Sequence, residues 1–196
     1  MKRGSILAVA VISEAVLVLI AYLLAYFFSL DIAWSPAPRA FAIGVAAAFP
    51  LLIGNHLLWR WTQMNPDSVY ARFSREVVVP LCRRVTPSQA LWIGILSGLG
   101  EEALFRGSLN LLLIRWSGLW IALLVSSVTF AWIHFIGSLK RYGGMIPLYS
   151  AVGGVLWLVW FLTDSLTAAA TTHATYNFLA ILSIRRFSNR STQSSR

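Results

Sequence analysis

The chain has 196 residues, 58% of them hydrophobic and only 12% charged, with a mean hydropathy of +0.70. Soluble domains are about 45–50% apolar and about 25% charged, so neither a water-soluble globule nor an intrinsically disordered chain fits this composition. The net charge is +9, from 16 Lys and Arg against 7 Asp and Glu; a single cysteine, Cys82, excludes an intrachain disulfide and a Cys-cluster metal site.

Apolar runs of about 17–25 residues are long enough to cross about 30 Å of hydrocarbon as a helix. In chain order the candidates are 6–28, with Glu14 as its one charge; 40–59; 89–114, which contains Glu101, Glu102 and Arg106; 118–136; 146–162; and 166–184. Helices satisfy their own backbone hydrogen bonds in lipid, so closely spaced spans predict an all-α, polytopic membrane bundle of about six transmembrane helices. The first run follows Lys2 and Arg3 as a signal peptide would. Its apolar stretch is too long for a signal h-region and no A-x-A-like site follows, so we read it as a retained helix.

With the N-terminus inside, the cytoplasmic segments hold Lys2, Arg3, Arg60, Arg72, Arg75, Arg83, Arg84, Lys140, Arg141, Arg185, Arg186, Arg190 and Arg196, and the external loops hold only Arg39 and Arg115. This asymmetry follows the positive-inside rule. It predicts an integral membrane protein with both termini cytoplasmic and gives the cations a role in orientation rather than in binding nucleic acid; a bacterial inner (plasma) membrane is the expected location. Between the second and third spans, Val69, Phe73 and Val77 recur at four-residue spacing, bracketed by Pro66 and Pro80. That pattern predicts a short amphipathic helix on the membrane surface. Residues 1–187 read as a single membrane domain, and 188–196, rich in Ser, Asn, Gln and Arg, as a disordered tail.

Ionisable groups inside a span cost about 2.5–3.5 kcal/mol each on insertion scales, which makes each one a candidate for function. Glu102 and Arg106 lie at i and i+4 with the acid first, the favourable order for a helical ion pair. Glu101 is rotated by about 100° from Glu102 and is expected to face a polar cavity. The fourth span ends near His134, and the sixth places His173 and Asn177 on one face. Glu14 is expected to pair with His56 or with a cytoplasmic Arg, and Cys82 to be inert. Gly94 and Gly98 frame Ser97 as a close helix-packing face rather than as a nucleophile, since no G-x-S-x-G surrounds it. His134 poses a difficulty of depth: only about 6 Å of helix separates it from Ser138, which places it shallower than Glu101.

A carboxylate and an imidazole can together deprotonate water, while an Asn amide and a second His can donate to an oxyanion. Those parts suffice to hydrolyse a peptide bond within the membrane. The same chemistry leaves a zinc site open, with Glu101, His134 and His173 as ligands. No H-E-x-x-H is present, and Asp31, Asp67 and Asp164 all fall in loops, which excludes the zincin and aspartyl designs.

Glu101-Glu102-Ala-Leu-Phe105-Arg106 resembles the E-E-x-x-x-R motif of the CPBP family, the CAAX prenyl protease type 2 (Rce1-like), bacteriocin-processing and ABI intramembrane proteases. Phe130-Ala-Trp-Ile-His134 is similar to that family's F-x-x-x-H motif, and His173-Ala-Thr-Tyr-Asn177 to its H-x-x-x-N motif. The resemblance covers roughly 88–184. It implies that Glu101 and His134 activate the attacking water, that His173 and Asn177 bind the oxyanion, and that Glu102 and Arg106 support the site. It further implies a glutamic-type intramembrane endopeptidase with no required cofactor, zinc being the alternative. The expected partners are the lipid bilayer and a membrane-associated protein or peptide substrate. The competing expectation is a non-catalytic immunity or scaffold protein, or a proton-relay transporter, using the same buried polar cluster.

Overall fold

A computed structural model describes the backbone of residues 3–193 and the side chains of residues 5–187. Among the described residues the chain is helical almost throughout and contains no strand. Three helices are long and apolar enough to cross a membrane: Ser5–Phe28, Pro38–Met64 and the nearly continuous run Ile136–Thr163. Their outward faces carry Ile12, Leu19, Ile53, Leu57 and Leu162, all exposed, which suits lipid contact. The protein is an all-α integral membrane bundle. The expected segments 89–114 and 166–184 are helical as well; the polar groups they carry lower their hydropathy below that of a plain span.

Helix α1 spans Arg3–Phe28 and α2 spans Pro38–Met64. The amphipathic segment follows as α3 (Val69–Phe73), a π turn (Ser74–Val78) and α4 (Val79–Arg84). Ser68 caps its start by accepting from the Ala71 amide at 3.2 Å. Pro80 does not end it. The ring sits in the first turn of α4, and the π turn before it accommodates the hydrogen bond that proline cannot donate. Phe73 packs against Phe135 and Tyr142, so this segment is part of the bundle and not merely laid on a membrane surface.

The expected third span is not one uniform helix. Thr86 and Gln89 form a reciprocal capping box that starts α5 (Pro87–Glu102). A π turn, Ala103–Leu109, opens directly after Glu102, and α6 (Asn110–Ser117) completes the segment. Gly118, at φ 83°, turns the chain into α7 (Leu119–Ile133), a conformation that glycine adopts without a Cβ penalty. After α7 come a 3-10 turn (Ile136–Ser138), α8 (Leu139–Tyr142), a second 3-10 turn (Gly143–Met145) and α9 (Ile146–Thr163). Asp164 takes a left-handed φ of 47°, and Ser165 caps α10 (Leu166–Gln193) by accepting from the Ala168 amide. The backbone of α10 runs on through Gln193, past the point where a disordered tail was expected. Extending a formed helix costs far less than starting one. The side chains from Ser188 onward, residues 194–196 and the side chains of Lys2 and Arg3 lie outside the described residues.

Helix α10 is central: it packs on α5 on one side and α2 on the other, while α7 pairs with α9 and α1 lies along α5 and its π turn. Close approach is made by small residues. A Cβ on Gly98 would lie 2.5 Å from the Ala170 carbonyl oxygen, and one on Gly94 would lie 2.7 Å from that of Ala174. The Gly94/Gly98 stripe is therefore the packing face predicted, with α10 as its partner. Ser108 ties α1 to the π turn by donating to the Ala21 carbonyl at 2.6 Å.

Candidate active site

The deepest charges sit where α5 gives way to its π turn. Glu102 and Arg106 are fully buried, and the guanidinium donates to Glu102 Oε1 at 3.0 Å, as their spacing predicts. Its other end donates to the Gly153 carbonyl of α9 at 2.7 Å, and its plane lies 4.7 Å from the Phe130 ring centre. A buried guanidinium needs this many partners, since an unpaired one is very costly in an apolar bundle.

Glu102 does a second job that spacing alone did not reveal. The same Oε1 lies 2.9 Å from His173 Nδ1, across 71 residues of sequence. A carboxylate oxygen only accepts, so His173 Nδ1 carries a proton and donates it there. Its Nε2 is thereby turned toward a cavity that His173 lines. One turn further along α10, Asn177 Nδ2 donates to Ser97 Oγ at 2.8 Å, and Ser97 donates in turn to the Gly94 carbonyl at 3.2 Å. Ser97 is thus the orienting group for Asn177, a function not visible in its sequence context. The second N–H of the Asn177 amide is left for a ligand in the same cavity.

His134 forms the C-cap of α7. Its Nδ1 lies 2.7 Å from the Phe130 carbonyl, an acceptor, which places the ring proton on Nδ1 and an acceptor lone pair on Nε2. That Nε2 faces Glu101 Oε2 at 3.6 Å. The contact resolves the difficulty of depth that the linear spacing raised for His134. Glu101 is 8% exposed, and its Oε2 is buried without a hydrogen-bond partner. Glu101 does not line the cavity itself; His134, with 30% of its side chain exposed, stands between them. The Phe130 ring organises the group: it lies 5.0 Å from His134, 5.9 Å from His173 and 5.3 Å from Phe105.

The cavity holds about 340 Å³ and is mostly apolar. His134, His173 and Asn177 supply its polar floor. Trp59 of α2 and Tyr70, Phe73 and Val77 of the amphipathic segment supply much of its wall. This wall was not predicted, because apolar spacing reports that a face is buried but not what it covers. The segment is clamped in place by Glu76, which accepts from the Tyr142 hydroxyl at 2.5 Å and from Arg141 at 2.6 Å. The Tyr142 hydrogen bond, followed by Arg141, holds the Glu76 carboxyl below its ordinary range. Cys82, buried in the same wall, has its thiol pushed up to about 11 by burial, which accords with an inert side chain.

One expectation needs correction. Among the described residues Glu14 pairs with neither His56 nor a cytoplasmic arginine: it lies against Gly100 of α5, and His56 lines a separate pocket with Leu179 and Arg186. Among the described residues no three His, Cys, Asp or Glu side chains gather to hold a metal ion. His173 and His134 each commit Nδ1, to Glu102 and to the Phe130 carbonyl, which leaves Nε2 of both rings open.

Comparison with known proteins yields one family. Residues 84–179 match the family described as Type II CAAX prenyl endopeptidase Rce1-like. The matched stretch begins at the end of α4, carries all three motifs and ends within α10. No curated protein and no solved structure matches the chain significantly. Glu101 with Glu102 and Arg106, His134, and His173 with Asn177 all lie within the matched residues, with His134, His173 and Asn177 lining the cavity and Glu101 and Glu102 held against the two histidines; the matched stretch belongs to the Rce1-like family of type II CAAX prenyl endopeptidases.

Proposed function

We propose that this protein is an intramembrane endopeptidase that hydrolyses a peptide bond of a membrane-associated protein or peptide with a water activated by Glu101 and His134. The observation that carries the reading is the facing of His134 Nε2 and Glu101 Oε2 at 3.6 Å, with His134 Nδ1 committed to the Phe130 carbonyl. Two acceptor atoms so placed suit a water that donates one hydrogen to each. One proton of the water passes to the Glu101–His134 pair, and its oxygen bonds to the scissile carbonyl carbon. The resulting oxyanion accepts from Nε2–H of a protonated His173, an imidazolium stabilised by Glu102, and from the free N–H of Asn177. Collapse breaks the C–N bond, and the proton held by the pair goes to the departing amine. Products are a carboxylic acid and an amine, with no redox change. No step calls for a metal. The apolar cavity would hold the substrate's side chains or a lipid chain beside the bond. The cation distribution supports both termini being cytoplasmic, with cleavage reached from that side.

The test uses the purified protein in lipid nanodiscs with a farnesylated, fluorogenic CAAX-type peptide, and the same peptide unprenylated. We expect cleavage by the native protein to survive exhaustive chelation. Glu101→Ala and His134→Ala should each lower it by about two to four orders of magnitude, the usual contribution of a general base. Unchanged cleavage in both variants would overturn the proposal.

A further inference from the structure

Glu14 belongs to none of the three motifs and stands on α1, outside the residues matched by the family. Its position is nevertheless a built one. A Cβ on Gly100 would fall 2.5 Å from Glu14 Oε2 and 3.0 Å from the Glu14 carbonyl oxygen, so the absence of a side chain at Gly100 is what lets this carboxyl lie on α5. The next residue along α5 is Glu101. The charges of Glu101 and His173 both act on Glu14. Glu14 Oε2 is buried with no hydrogen-bond partner, and so is Glu101 Oε2. Arg106 donates to Glu102 and to the Gly153 carbonyl rather than to Glu14 or Glu101. Two neighbouring carboxyls in an apolar bundle do not both keep a charge, and a single proton shared between them removes the conflict.

We propose that Glu14 is a positioning residue of the active site: its protonated carboxyl donates to Glu101 through one water and holds Glu101 as the ionised member that works with His134. This rests on Glu101 and His134 being the water-activating pair. Glu14 touches no substrate, since it does not line the cavity. During turnover it keeps its own proton, while Glu101 and His134 take and return the proton of the water, so the proton count closes without it.

An amide donates from nearly the same place as a protonated carboxyl, whereas a methyl group does not. The native protein, Glu14→Gln and Glu14→Ala are therefore compared in nanodiscs in two ways. Infrared spectroscopy across pH follows the C=O stretch of protonated carboxyls without any substrate. Cleavage of the farnesylated peptide supplies kcat, KM and the pH profile. We expect a protonated-carboxyl band at pH 7 in the native protein that Glu14→Gln abolishes. Glu14→Gln should keep kcat within about threefold, and Glu14→Ala should lower kcat about tenfold or more with KM little changed and the acid limb of the profile displaced. The proposal is overturned if the band survives in Glu14→Gln, or if Gln and Ala are equally impaired or equally native-like. A purely structural role would lower yield and thermal stability in both variants and leave the acid limb in place. Should the native protein cleave neither peptide, the protease reading falls, and the infrared band still decides whether Glu14 carries a proton.

Discussion

Glu102 is the residue on which most of the site converges, because one oxygen serves both Arg106 and His173. Removing its charge leaves a fully buried guanidinium with only the Gly153 carbonyl and the face of Phe130. Breaking one side of a buried pair costs about 3–5 kcal/mol. We expect Glu102→Gln to lower the unfolding midpoint in detergent and to lose most cleavage, with folding and activity failing together. A variant with native yield and melting would show that the pair does not stabilise the bundle. Half of this residue's role was legible in the sequence. The Glu102–Arg106 contact is local, set by one helical repeat, while the Glu102–His173 contact joins helices that only the tertiary fold brings together. Ser97 makes the same point: it holds Asn177 across 80 residues, and nothing in Gly94-Ile-Leu-Ser97-Gly98 announces that partner.

At the scale of elements, the geometry depends on how closely α5 and α10 approach. Gly94 and Gly98 set that distance, and the Glu102–His173 and Ser97–Asn177 hydrogen bonds span the same seam. A Cβ at position 98 meets a backbone oxygen at 2.5 Å, an atom with no freedom to swing away. Gly98→Ala should therefore push the helices apart, costing about 1–3 kcal/mol of stability, the range for overpacking. Cleavage should fall more than stability, since a shift of about 1 Å in catalytic geometry costs about a hundredfold in rate. Thermal melting together with peptide cleavage measures both; a variant with native melting and native cleavage would mean the seam has slack. The packing stripe was readable as such from its small residues. Which helix it met was not, because a G-x-x-x-G pattern specifies closeness and not identity. The π turns after Glu102 and before Pro80 were likewise invisible to hydrophobic periodicity, which assumes a uniform helical repeat.

For the whole molecule, the cation distribution makes an orientation testable without any substrate. Arg141 is tied to the amphipathic segment through the Glu76 clamp, which puts it at the cavity's end of the bundle together with Tyr70 and Phe73. If the cation-rich end is cytoplasmic, a reporter fused after Arg196 that is active only in the cytoplasm should be active, and an export-dependent reporter silent. The opposite pattern would invert the topology and move substrate access to the other face of the membrane. The expected disordered tail does not enter this test, since the reporter senses the side of the membrane and not the fold of the linker.

The sequence by itself determined the class of molecule and the identity of its unusual residues. Hydropathy demands helices in lipid because backbone groups have no other partners there. Carboxylates, an arginine and histidines inside apolar runs are so unfavourable that their presence marks a site. Only the tertiary structure decided which of those groups face one another: Glu102 with His173, Ser97 with Asn177, His134 with Glu101, and Glu14 beside Gly100. It also made the amphipathic segment one wall of the cavity. These contacts link helices far apart in the chain, and their partners are chosen by packing of small residues and by pairing of buried charge, neither of which a linear pattern encodes.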